Sequence, residues 1–166
     1  MQRHTIAILV NDQPGVLTRV ATLFGQRGFN IDSITVGGSE EPGLSRMIIT
    51  TGGDEQKIDQ LMKQLYKLID VITVTNLSEN AYVSRELALI KVNASPSQLA
   101  ELNAIVEPFR ATIVDVGPAS LIVQVTGDTE KIDALLVLLE SYGITEVTRT
   151  GSMAMARSVV PVPANV

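Results

Sequence analysis

The chain contains no cysteine and no tryptophan, a single histidine, and only 4% aromatic residues. Without cysteine there is no disulfide, no iron–sulfur cluster and no thiol nucleophile, a pattern that fits a reducing compartment. One histidine, His4, close to the N-terminus, leaves no second imidazole for a metal site. No serine or cysteine motif points to it as the base of a triad, and it reads as a frayed or strand-edge residue. No Walker loop and no G-x-G-x-x-G fingerprint is present. Basic residues are outnumbered, 13 Lys and Arg against 18 Asp and Glu, for a net charge of −5. A general nucleic-acid binder needs a basic face for phosphates, and this balance argues against that class. No apolar run is long enough to span a bilayer. Met1-Gln2-Arg3-His4 runs straight into a strand-like segment without an apolar signal region. A cytoplasmic protein with no membrane partner is expected.

What the chain does have is aliphatic residues, with apolar types at 45% of 166 residues. That suits one large domain or two small ones around aliphatic cores. Residues 5–10 form a near-continuous apolar run, read as a central strand. Val16, Leu17, Val20, Leu23 and Phe24 follow at helical spacing, and Gly28 is a natural stop. Residues 29–36 and 44–51 read as strands joined by a turn-rich stretch, hence a hairpin. Asp54 is placed as an N-cap for a helix carrying Ile58, Leu61, Met62, Leu65, Leu68 and Ile69. Residues 71–75 are a fourth strand. The order is βαββαβ, a four-stranded antiparallel sheet with both helices on one face. The other face, carrying Ile and Val, needs a partner, either a second chain or a second domain.

The second half repeats the first. Gly127-Asp128-Thr129-Glu130-Lys131-Ile132-Asp133-Ala134-Leu135 echoes the nine residues from Gly53, with six of nine identical at an offset of 74. Val92-Asn93-Ala94-Ser95-Pro96-Ser97 echoes Val10-Asn11-Asp12-Gln13-Pro14-Gly15 at an offset of 82. The difference is explained by a shorter central hairpin, with Gly117-Pro118 in place of residues 37–43. The expected fold is therefore α+β, two tandem ferredoxin-like βαββαβ units with antiparallel sheets and helices on one face. Residues 1–78 are the first unit, 79–86 a linker, 87–157 the second unit and 158–166 a tail expected to be poorly ordered.

The stretch from Asn11 to Leu17 joins a strand to a helix and is the candidate site. Asp12 offers an oxygen suited to capping the first amides, Pro14 suits a first helical turn, and Gly15 allows close approach of a ligand or backbone. Free amides and the positive dipole end there attract a carboxylate. An ordinary capped helix start explains the same residues. If Asp12 caps its own helix, it fills the anion site itself. The repeat loses these groups, since Asp12 becomes Ala94 and Gly15 becomes Ser97. Asn30, at the start of the second strand, has an amide able to face a neighbouring chain's first loop. Together with Gly15, Val16 and Leu17 it would grip the two charged groups of an amino acid, with Ile31 and Leu17 against an aliphatic side chain. A turn-satisfying role for Asn30 is the competing reading.

Asn11-Asp12-Gln13-Pro14-Gly15-Val16-Leu17 followed by Arg27-Gly28-Phe29-Asn30-Ile31 resembles the ACT domain, a regulatory amino-acid-binding module. Leu44-Ser45-Arg46-Met47, the eight residues from Gln64, and above all Arg85-Glu86-Leu87-Ala88-Leu89-Ile90-Lys91-Val92 resemble the small, regulatory subunit of acetolactate (acetohydroxyacid) synthase. The resemblance covers about residues 2–157. It implies an ACT domain followed by an ACT-like domain, no catalytic residue and no cofactor of its own. It also implies a large catalytic partner that uses thiamine diphosphate, Mg²⁺ and FAD to transfer an acetaldehyde unit from pyruvate to a 2-oxoacid. The small subunit would activate that partner in branched-chain amino acid biosynthesis, dimerise through its ACT unit and confer valine feedback. By motif the effector site would comprise Asp12, Gly15, Val16, Leu17, Asn30 and Ile31. Asp12 stands where many ACT domains carry Asn, and a carboxylate favours the ligand's ammonium. A free-standing tandem-ACT sensor is the alternative, and a small enzyme on this fold ranks below both.

Overall fold

The structure is a computed structural model that describes residues 2–158. It divides into two units, one formed by residues up to Val83 together with the segment from Ala154, the other by Ser84–Met153. Each has the expected strand and helix order.

In the first unit, β1 (Gln2–Asn11), α1 (Val16–Gln26), β2 (Ser33–Gly38), β3 (Leu44–Gly53), α2 (Glu55–Leu65) and β4 (Val71–Asn76) follow in sequence. The sheet order is β2-β3-β1-β4, antiparallel throughout. Alternation along β1 puts Ile6, Ile8 and Val10 on the helix side, where they pack with Met47 and Ile49 of β3, Val20 and Phe24 of α1, and Ile58, Leu61 and Leu65 of α2. The side-chain period of two in the strands and 3.6 in the helices makes these residues meet. Asp54 caps α2, its carboxylate accepting from the Lys57 N–H at 2.9 Å.

In the second unit, β5 (Tyr82–Asn93), α3 (Leu99–Val106), β6 (Thr112–Val116), β7 (Ser120–Gly127), α4 (Thr129–Leu139) and β8 (Ile144–Arg149) build the sheet β6-β7-β5-β8. Its core repeats the same logic, with Ala88, Ile90 and Val92 on β5, Val123 on β7 and Ile132, Leu135 and Leu139 on α4. Asp128 caps α4 through the Lys131 N–H at 2.9 Å, matching Asp54.

Five expectations change. α2 ends at Leu65, so Leu68 and Ile69 lie beyond the helix, and Ile69 is 90% exposed instead of joining the buried stripe. The second strand starts at Ser33, not at residue 29. Residues 29–32 are instead a connector, in which Phe29 packs edge-on against Phe24 with ring centres 6.4 Å apart and the Asp32 N–H donates to the Thr50 carbonyl at 2.8 Å. β5 begins at Tyr82, inside the stretch read as a linker. A ninth strand, β9 (Met153–Ala156), pairs with β5. His4 is neither frayed nor at an edge: β1 lies inside the sheet, and His4 is only 2% exposed. Position 4 falls on the helix side of β1 in phase with Ile6 and Ile8, and this buries it. The expected tail lies outside the described residues from position 159 onward. Among the described residues, no helix is long and apolar enough to cross a membrane.

Candidate functional site

β1 ends at Asn11, whose N–H donates to the Asp70 carbonyl at 2.8 Å, and the next N–H, of Asp12, donates to Gly43 at 2.9 Å. The loop is thus pinned to the start of β4 and to the β2–β3 connection. Gly15 then turns the chain with φ +84°, a left-handed conformation that glycine adopts without a Cβ clash. It is the N-cap of α1, and no side chain caps this helix. The capping role expected for Asp12 is therefore not the one it plays. Pro14 sits before the cap rather than in the first turn. The reason is geometric: Asp12 is three residues before the cap, and the turn is closed by backbone, with the Val16 N–H on the Gln13 carbonyl at 3.3 Å.

The consequence is an open helix start. Its first-turn amides have no side-chain partner of the usual kind, and the dipole end there is positive. Asp12 remains exposed at the loop. Val16 is buried in the core at 3% exposure, whereas Leu17 faces outward at 46%. The second unit contrasts with this. Its loop starts a 3-10 turn (Pro96–Gln98) with Ser95 as N-cap and a capping box to Gln98, the Ser95 N–H donating to the Gln98 side chain at 3.0 Å. A side chain thus closes the turn that leads into α3, although α3 itself has no side-chain cap, whereas no side chain closes the turn before α1.

Asn30 and Ile31 stand at the other end of the unit. α1 runs for 11 residues, about 16 Å at ~1.5 Å per residue, and carries the chain back along the sheet. There the Asn30 carbonyl accepts from the Thr51 hydroxyl at 2.6 Å, and its amide donates to Asp32 at 3.1 Å. Ile31 packs against the core as a half-buried residue. One chain therefore brings Asp12, Gly15, Val16 and Leu17 together and holds Asn30 and Ile31 apart from them. Arg19 also borders the candidate loop, a neighbour that the sequence reading does not name. Its guanidinium pairs with Asp70 and lies over Gly15, with Nη1 3.2 Å from where a Cβ would stand. The signal was available, since Arg19 follows Gly15 by four residues, one helical turn. Among the described residues, no cluster of His, Cys, Asp or Glu is placed to hold a metal ion.

Two family models divide the chain between them. Residues 6–73 match the model of an AHAS small subunit-like ACT domain, and residues 85–158 match that of the small subunit of acetolactate synthase. A Methanothermobacter thermautotrophicus protein named probable acetolactate synthase small subunit is 54% identical over 155 residues, covering 93% of this chain and 92% of that one. The chain belongs to the acetolactate synthase small-subunit family. The small subunit of Bacillus subtilis is 49% identical over 93% of this chain and 91% of its own length. The crystal structure of the Thermotoga maritima small subunit superposes with a TM-score of 0.86 at 45% identity, covering 96% of this chain and all of that one. Both units thus lie within one family architecture. The chain is of the non-catalytic, small-subunit kind.

Proposed function

We propose that this chain regulates an acetolactate synthase in branched-chain amino acid biosynthesis. It raises the activity of a large catalytic subunit and makes that activity sensitive to valine. Thiamine diphosphate, Mg²⁺ and FAD belong to the large subunit, and the complex works in the cytoplasm. The observation that carries this reading is the open start of α1 beside Gly15, set against the second unit, where the Ser95 N–H and the Gln98 side chain close the turn that leads into α3. A regulatory site needs free groups for a ligand, and the first loop offers them.

The effector site forms between two copies. β2 is an edge strand, half-buried to exposed along its length, and an unpaired edge is a template for a second strand. Two β2 edges paired about a two-fold axis would run antiparallel. The Asn30 end of one chain then lies beside the hairpin end of the other, where Gly43 holds the first loop. Valine would place its carboxylate at the α1 amides and its ammonium toward Asp12 and the Asn30 amide oxygen. Its isopropyl group would rest on Leu17 and the partner copy's Ile31.

Gly15→Asp tests this. Asp tolerates positive φ better than most residues, so the fold survives at a cost of about 1 kcal/mol. The new carboxylate occupies the anion position and lies within reach of Arg19. Titration calorimetry should show valine affinity down at least tenfold, and the reconstituted holoenzyme should lose feedback while keeping its activation. Full valine sensitivity in a folded Gly15→Asp chain contradicts the site.

A further inference from the structure

The open face of the first sheet carries a recess that the regulatory reading does not use. Register builds its floor. Thr73, Leu9 and Arg46 stand in one row across β4, β1 and β3, and Thr75, Ala7 and Ile48 in the next. Directly opposed residues of antiparallel strands share a face, and alternation along β1 sends Ile6 and Ile8 the other way, into the core. Ala7 is smaller than Thr5 and Leu9, its neighbours on that face, so the floor dips there. The segment with Ala154, Met155 and Ala156 forms a wall, held by the Arg157 N–H on the Ala81 carbonyl at 2.9 Å. The recess measures about 210 Å³. Pockets for drug-sized ligands span about 300–1,000 Å³, so this one suits a molecule of under about ten heavy atoms.

Its chemistry is divided. Ala7, Leu9 and Met155 present methyl and thioether surface, and methionine adapts its shape to a small apolar guest. Arg46, Thr73 and Thr75 supply polar groups in the same lining. The Arg46 guanidinium donates to the Glu40 carboxylate at 3.1 Å, with both side chains reaching solvent. Exposed ion pairs of this kind are worth about 0–1 kcal/mol, so an incoming carboxylate can replace Glu40 on the guanidinium at little cost. Arginine also matches a carboxylate with two parallel N–H donors.

We propose that this recess is a second small-molecule site, for a monocarboxylate carried on a short aliphatic chain. The carboxylate sits on Arg46, and the chain lies over Ala7 and Leu9 beside Met155. Two sources share that chemistry, an aliphatic amino acid and the corresponding 2-oxoacid. An amino acid would also offer its ammonium to the released Glu40, whereas a 2-oxoacid has no such group.

The test uses the full-length chain with methyl-labelled methionine, valine and 3-methyl-2-oxobutanoate as probes, and NMR as the readout. The Met155 methyl signal is assigned with Met155→Leu. At least one probe should shift it saturably, in the parent chain and in Gly15→Asp alike. Ala7→Leu fills the floor and leaves both charged groups, and Arg46→Gln removes the carboxylate partner. Each should weaken that titration at least tenfold. A response to valine alone assigns an amino acid, and a response to the oxoacid alone assigns a 2-oxoacid. A Met155 signal that neither probe moves overturns the proposal. So does one that titrates unchanged in folded Ala7→Leu and Arg46→Gln. The first-loop reading is scored separately, by valine sensitivity of the holoenzyme carrying Gly15→Asp.

Discussion

Glu86 and His4 occupy the same place in the two halves, 82 residues apart on β5 and β1, yet they solve burial differently. Glu86 is buried, and Arg149 grips it with two nearly parallel bonds, Nε at 2.6 Å and Nη2 at 2.9 Å, while Nη1 reaches Asp133 at 2.7 Å. The hydrogen bonds to Glu86 first, then those to Asp133, raise the Arg149 pKa above its ordinary value. A buried charge without its partner is strongly unfavourable, so Glu86→Ala should cost about 3 kcal/mol, at the lower end of that class because Arg149 keeps partial access to water. His4 is just as buried, but neither ring nitrogen has a hydrogen-bond partner among the described residues. Removing a side chain that makes no internal polar contact sacrifices only packing, so His4→Leu should change stability by less than about 1 kcal/mol. Urea unfolding of the two variants checks the contrast. Equal losses would mean that His4 is held by more than its packing.

At the scale of the element, the sequence was most legible where one physical rule acts alone. The stripe from Ile58 to Leu65 and the cap at Asp54 were readable because helical period and an N-cap residue point the same way. The start of β2 is not legible, because the Asn30 carbonyl and the Asp32 N–H pair with Thr51 and Thr50 of β3, a tertiary contact that no local pattern announces. β9 was missed for a similar reason: Met-Ala-Met-Ala is too weak a signal to stand as a strand without β5 beside it. The candidate loop is legible as a motif, but propensity points to Asp12 as the cap, since a carboxylate near a helix start outranks glycine. The backbone turn at Gly15 decided otherwise. The Asp54 cap yields a pH test. The Lys57 N–H holds its carboxyl below the ordinary carboxylate value. A depressed folded pKa means stability that is present above the unfolded pKa and lost as pH falls through the folded one, here below about pH 4. Asparagine caps as well as aspartate and does not titrate. Thermal melts from pH 6 to pH 3 should therefore fall less steeply for Asp54→Asn than for the parent chain. Parallel curves would show that the cap charge adds nothing.

At the scale of the whole molecule, Asn30 and the first loop stand apart on one chain, so the proposed two-copy site would make effector binding and self-association one equilibrium. A ligand held by two copies binds the dimer and not the monomer, so mass action ties the two. Diluting the protein through its dimer dissociation range should weaken apparent valine affinity, and saturating valine should tighten the dimer by the same free energy, since coupling is reciprocal. The β2 edge gives a handle on this. Val36 is 47% exposed on that strand. Val36→Lys brings a charge to an edge where like charges from two copies would meet. Sedimentation should show a weaker dimer, and calorimetry a matching loss of valine affinity that high protein concentration restores. Gly15→Asp should behave differently, because it spoils the loop and leaves the edge intact: it lowers affinity at every concentration and keeps the dimer. If Val36→Lys dissociates the chain while valine still binds the monomer at full strength, the site lies within one copy, and the two-chain arrangement is wrong.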